Sequence, residues 1–279
     1  MKNLKNRLGF SMLEVIFVII ILGIISSIGS ELIAKVYENY IVQRAQHRAS
    51  IKTQLAINQI ANRLSHAILN TLARKEGRGS APENIDAAML SASNAYTVLQ
   101  WVGSDNDSFE AISTDDSRKP GWSAFCDLDA SSSTLLSTPG SNLGLANTII
   151  QNLSANTGAK SIGDASIFFP NDSTSHGISS ASGETITLDA AASRIVERYK
   201  LAWTSYALVV EEGDLNLYYN FSPVGGVNIP DGTPHQLLLK NVTTFKFEGR
   251  GETIRIKLCI EERIAEDSTI PSCKEKAIF

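Results

Sequence analysis

An unbroken apolar run from Val15 to Ile25, free of charge as far as Ser30, dominates the hydrophobic pattern. At about 1.5 Å of helical rise per residue, Phe10 to Ile28 covers nearly 30 Å, roughly the hydrocarbon thickness of a bilayer. Residues 10–30 therefore read as the membrane-crossing half of a helix. The helical period continues beyond the span. Leu32, Val36, Tyr40, Ile41, Ile51, Leu55, Ile60, Leu64, Ile68 and Leu72 recur at threes and fours, with Lys35, Glu38, Arg44, Arg48, Lys52 and Arg63 between them. Gly77, Gly79 and Pro82 then stop it. The spacing predicts one helix from about Phe10 to Arg74, its exported amphipathic half falling in residues 31–76. Residues 51–72 form the stripe expected to rest on the chain's own folded body.

Past residue 77 the pattern changes. From about Ala81 to Arg194 small polar residues dominate, with short strand-like pieces at Tyr96–Val102, Ser166–Phe169 and Glu184–Leu188 and a helical piece at Leu143–Leu153. Residues 77–194 read as a variable Ser/Asn-rich insertion of loops and short strands, with a mobile segment near Ser131–Ser141. The last 85 residues are more regular. Thr204–Val210 and Leu215–Phe221 flank Glu211-Glu212-Gly213-Asp214, a hairpin signal. Leu237–Leu239, Val242–Phe247 and Thr253–Ile260 continue the strands, with Gly249 and Gly251 at a turn. An antiparallel meander of this kind can rest one face on a helix. The expected class is α+β, a long N-terminal helix packed on a C-terminal antiparallel sheet.

Charge then orients the first segment. Lys2, Lys5 and Arg7 precede the apolar run without an acid, which places the N-terminus on the cytoplasmic side and the remainder across the membrane. An ordinary signal peptide shares the basic start and apolar middle, but here the run merges into a longer helix. Glu14 also sits inside it, where a buried carboxylate costs about 2.5–3.5 kcal/mol. A plain anchor has no use for that penalty, so Glu14 is a candidate functional residue.

Gly9-Phe10-Ser11-Met12-Leu13-Glu14, after a short basic leader and before an apolar helix, resembles the signature of the type IV prepilin family. The resemblance covers about the first 35 residues. It implies a pilin-like fold and cleavage by a membrane prepilin peptidase after Gly9, making residues 1–9 a leader, with N-methylation of Phe10. It also implies a Glu14 that sets register against the terminal ammonium of a neighbouring subunit. Glycine at the scissile position lets the peptidase approach the backbone closely. The implied partners are that peptidase, other pilin or pseudopilin subunits, an inner-membrane assembly platform and membrane lipid. The implied location is the bacterial inner membrane, single-pass with a periplasmic C-terminal domain, and then a pilus or pseudopilus filament. The length, 279 residues, suits a minor subunit that primes or caps a type IV pilus or type II secretion pseudopilus. A monomeric signal-anchored periplasmic binding or adhesion domain is the alternative.

Three cysteines allow three single bridges. The family resemblance implies Cys259–Cys273, a loop closure worth about 3 kcal/mol in the chain-entropy model; Cys126 is then free. Asp105, Asp107, Asp127 and Asp129 form two D-x-D pairs without the glycine and distal glutamate of an EF-hand. Solvated loop acids are the favoured reading, structural calcium the alternative, and no other cofactor is expected. N-x-S/T patterns such as those at Asn152, Asn171, Asn220 and Asn241 are too common by chance to decide anything. His47, His66, His176 and His235 are scattered, and no Walker loop, G-x-S-x-G elbow or dinucleotide fingerprint is present. No enzymatic activity is expected. The formal net charge of −4 provides no broad basic field, so no nucleic-acid partner is expected either.

Overall fold

The computed structural model describes residues 11–87, 95–115, 117–170, 172, 174–224, 229–265 and 268–279. Helix α1 runs from Met12 to Leu64. Ser11, in extended backbone, opens it by accepting the Glu14 N–H on its Oγ at 3.3 Å. Neither proline nor a polar break interrupts it, although Gly23 and Gly29 lie inside. Its C-terminal half carries small buried residues, Ala45, Ala49, Ala56 and Ala61, alongside Ile57, Ile60 and Leu64. Alanine at the contact lets a sheet lie close to the helix axis, while the larger residues fill the gaps.

The helix is shorter than the apolar spacing predicts. Past Leu64 the chain turns, and Ile68 donates its N–H to Val102 O at 2.9 Å instead of to a preceding carbonyl. Leu69–Thr71 form one 3-10 turn and Ala73–Lys75 become strand β1. Ile68 and Leu72 are buried as the period required. A neighbouring strand edge satisfies their backbone as well as a helix would, and Asn70 and Thr71 favour leaving the helix. Residues 65–76 thus belong to the sheet body.

Strand β2 (Glu83–Asn84) and β3 (Val98–Gly103) follow, then a short helix α2 (Asn106–Glu110). Next come β4 (Asp127–Ser132), β5 (Leu135–Ser137), helix α3 (Leu143–Ser154), β6 (Ser166–Phe168), β7 (His176–Ser182), β8 (Thr185–Leu188) and β9 (Lys200–Ala202). The chain closes with β10 (Thr204–Glu211), β11 (Asp214–Phe221), β12 (His235–Leu239), β13 (Val242–Arg250), β14 (Thr253–Ala265) and β15 (Ser268–Ile278). These strands build three antiparallel sheets, ordered β12-β11-β10-β3-β1-β2, β13-β14-β15 and β4-β5-β8-β7-β6-β9.

The first two sheets share one core with α1. Ala49, Ile60 and Leu64 meet Leu99 and Trp101 of β3, Leu208 of β10, Phe245 and Phe247 of β13, and Ile256 and Leu258 of β14. The expected meander is therefore divided, β10–β12 in one sheet and β13–β15 in the other. Strand β15 was hidden in the sequence by Pro271 and a charged end; it is an edge strand, where a missing N–H costs nothing in the ladder.

The third sheet forms a second lobe with its own core, including Trp122, Leu136, Leu143, Ile150, Ile167, Ile186 and Leu201. The Ser/Asn-rich stretch is thus a folded unit, not loops decorating a sheet. The segment expected to be mobile, Ser131–Ser141, holds the β4–β5 turn and is fixed: Leu136 and Thr138 are fully enclosed, and Thr138 N–H donates to Glu184 O at 2.7 Å. Alternating small hydroxyl and aliphatic residues suffice for short, half-buried strands. A small cluster of Ile68, Val102, Phe168 and Ala202 joins the lobes, and Asn220, at φ 58°, donates its Nδ2 to Thr157 O at 2.6 Å across the same joint.

Candidate functional site

The two halves of α1 have opposite environments. Its buried residues begin at Ala45, whereas every apolar side chain from Met12 to Val42 is exposed. Among the described residues, α1 is the one helix long and apolar enough to cross a membrane, and its most apolar window touches nothing else in the chain. Glu14 lies in the first turn of that half, exposed among Val15, Ile16 and Val18. Gly9 and Phe10, the expected processing residues, lie outside the described residues.

On the other half, the β14–β15 hairpin runs along the helix. Lys276 Nζ donates to Asn58 Oδ1 at 2.9 Å near the hairpin base, and Thr53 Oγ1 reaches Ser272 Oγ at 3.4 Å. Nearer the hairpin end, Glu262 takes Lys52 at 3.0 Å and Arg48 at 3.9 Å. Cys259 and Cys273 are cross-strand partners in this hairpin and form the disulfide that the sequence suggested. The bridge thus lies between the anchored base and the anchored end. Cys126 is a free, buried thiol whose Sγ is 3.3 Å from Ser131 Oγ; burial pushes its pKa up, so it stays protonated and inert.

The D-x-D acids separate. Asp105 is buried and caps α2 through Oδ1, which accepts the Ser108 N–H at 3.2 Å, while Asp107 is exposed. Burial raises the Asp105 carboxyl to about 6 despite the Ser108 hydrogen bonds. Asp127 Oδ1 accepts the N–H groups of Asp129 and Ala130, an ordinary Asx turn. Among the described residues no group of three or more His, Cys, Asp or Glu could hold a metal ion. Each histidine has its own place: His47 and His66 are exposed, His176 faces Asp172 at 3.4 Å, and His235 stacks on Tyr218. Asn220 is buried and hydrogen-bonded, so its N-x-S pattern is unavailable to a modifying enzyme in the folded protein.

One feature had no signal in the sequence. A cleft of about 710 Å³ lies where the lobes meet, walled by Phe109, Trp122, Phe168, Phe169 and Tyr199 and rimmed by His66, Arg198, Lys200 and Glu252. Trp122 is held by donating Nε1–H to Asp105 O at 2.8 Å, and Phe109 lies against it with ring centroids 4.9 Å apart. These residues are spread over more than 180 positions, and only the packing of the two cores assembles them. No protein-family model, curated protein or solved structure matches the chain.

Proposed function

We propose that this chain is a minor pilin or pseudopilin, processed by a prepilin peptidase after Gly9 and assembled through its N-terminal helix into a type IV pilus or type II secretion pseudopilus. The observation that carries the reading is Glu14: a carboxylate in the apolar, unaccompanied half of a helix whose other half is built into the folded body. In lipid that charge is costly, and an ammonium from a second subunit offsets the cost strongly at low dielectric. The chain sits in the inner membrane with its N-terminus in the cytoplasm and both lobes in the periplasm. It works by non-covalent assembly, with an initiating or tip position suited to its large exported body. The disulfide fits an oxidising compartment.

Incubation of the full chain with a prepilin peptidase, followed by mass spectrometry, tests this. The expected product has lost residues 1–9 and carries N-methyl-Phe10. A chain that stays full length instead favours a monomeric signal-anchored periplasmic binding or adhesion domain. The aromatic cleft between the lobes is the observation on that side, since ligand sites commonly form at such junctions.

A further inference from the structure

Beyond assembly, α1 carries a surface between its membrane span and its folded body that neither covers. Ile33, Val36, Tyr37 and Tyr40 are all exposed, Val36 by 68%. At about 3.6 residues per turn they share one side of the helix. That side is opposite the body: Ala45, where burial begins, stands nine positions after Val36, and the fully buried Ala49 nine after Tyr40, each two and a half turns on. The polar face shows the converse. Glu38 stands eleven positions before Ala49, close to three turns, and Glu31 and Lys35 form an i,i+4 ion pair at 2.7 Å.

Charge and local geometry indicate what covers the stripe. Arg44 and His47 follow it on the same side, both exposed, and among the described residues neither forms an ion pair. Tyr37 and Tyr40 lie with ring centroids 6.4 Å apart, a pair of amphipathic rings about two to three turns past the span. Tyrosine with an adjoining cation is the composition favoured at a lipid headgroup layer. At the junction with the span, Gly29 has open space around it and Ser30 Oγ donates to Ser26 O at 2.9 Å, a back-bond that bends helices.

We propose that, before assembly, α1 leans at Gly29–Ser30 so that the Ile33–Tyr40 stripe lies in the outer headgroup layer of the bilayer, with Arg44 and His47 on lipid phosphates. Because the stripe and the body occupy opposite sides of the helix, this posture holds both lobes away from the membrane surface. The proposal requires only that α1 spans a bilayer, so it stands or falls separately from processing at Gly9.

Spin labels on single cysteines test it in the full chain, with the native disulfide kept and Cys126→Ser as background. Val36→Cys and Tyr40→Cys report the stripe; Glu38→Cys and Asn39→Cys report the polar face. In phosphatidylcholine vesicles containing one quarter phosphatidylglycerol, the ratio of oxygen to nickel-chelate accessibility should be roughly threefold or more higher at 36 and 40 than at 38 and 39. Equal accessibility to water at all four positions overturns the proposal. So does dipolar broadening at 36 that disappears on dilution with unlabelled chain, because a second copy then covers the stripe. A Tyr40→Cys label equally deep when Arg44→Gln and His47→Gln are combined with it overturns the phosphate contact.

Discussion

Lys52 on the long helix and Glu262 near the end of the last hairpin are 210 residues apart and meet at 3.0 Å through both carboxylate oxygens. This contact, with Arg48 behind it, fastens the outermost part of the hairpin to the helix just above the point where the helix becomes unaccompanied. Lys52 is about half exposed, so solvent screening limits the pair to about 0.5–1 kcal/mol. Glu262→Gln should leave the melting temperature nearly unchanged. Amide exchange at Glu261–Arg263, Ile270 and Ser272 should become several-fold faster, as read by hydrogen-exchange mass spectrometry.

The disulfide closes a loop with a sequence separation of 14. Replacing both Cys259 and Cys273 with serine should lower unfolding stability by about 3 kcal/mol, measured in denaturant at constant slope. Cys126 should resist alkylation in the native protein and react only once denaturant opens the second lobe, because the thiol is buried and its pKa is raised.

Asp105 gives a pH dependence with a definite sign. Its folded-state pKa, about 6, lies above the ordinary 3.8, so the folded protein holds a proton more tightly than the unfolded chain. Stability is therefore greater at low pH, falls as pH rises from about 4 through 6, and is level beyond. Asp105→Asn keeps a good helix cap and removes the buried charge. It should be more stable than the native protein at pH 7 by on the order of 2–3 kcal/mol, with the difference shrinking towards pH 4. Thermal unfolding at the two pH values checks both size and direction.

On the proposed pilin reading, Glu14→Ala should still be cleaved by a prepilin peptidase yet fail to enter filaments, and Glu14→Gln should fail likewise if the charge sets register. Pull-down of assembled filaments, scored beside the cleavage product by mass, separates the two steps. Normal incorporation of Glu14→Ala would defeat the register role.

Periodicity made the long helix and most strands legible, because an apolar face facing one layer leaves a period of 3.6 or 2. Leu64, Ile68 and Leu72 show where that logic ends: their burial was foreseen, but the end of the helix was set by Val102 O and the β3 edge, partners some thirty residues away. The second lobe was legible only in part: α3, β6 and β8 fall where the pattern put them, whereas β4, β5, β7 and β9 gave no signal, for a different reason. Its strands are short, and a core made from Leu136, Ile167, Ile186 and Leu201 draws one or two side chains from each, too few for a repeating signal. At the candidate site, Glu14 and the cysteine pair stood out as residue types in unusual company. The aromatic cleft could not, since Phe109, Tyr199 and Glu252 become neighbours only after both cores have formed.

Gly103, at the end of β3, and Thr204, at the start of β10, are direct cross-strand partners, although the whole second lobe is strung between them. Without that lobe the two strands would make a plain hairpin. Its entry and exit therefore coincide, and the lobe can be exchanged, enlarged or trimmed like a cassette without re-threading the sheet beneath. A chain that keeps one helix-bearing chassis gains new surfaces through this single doorway.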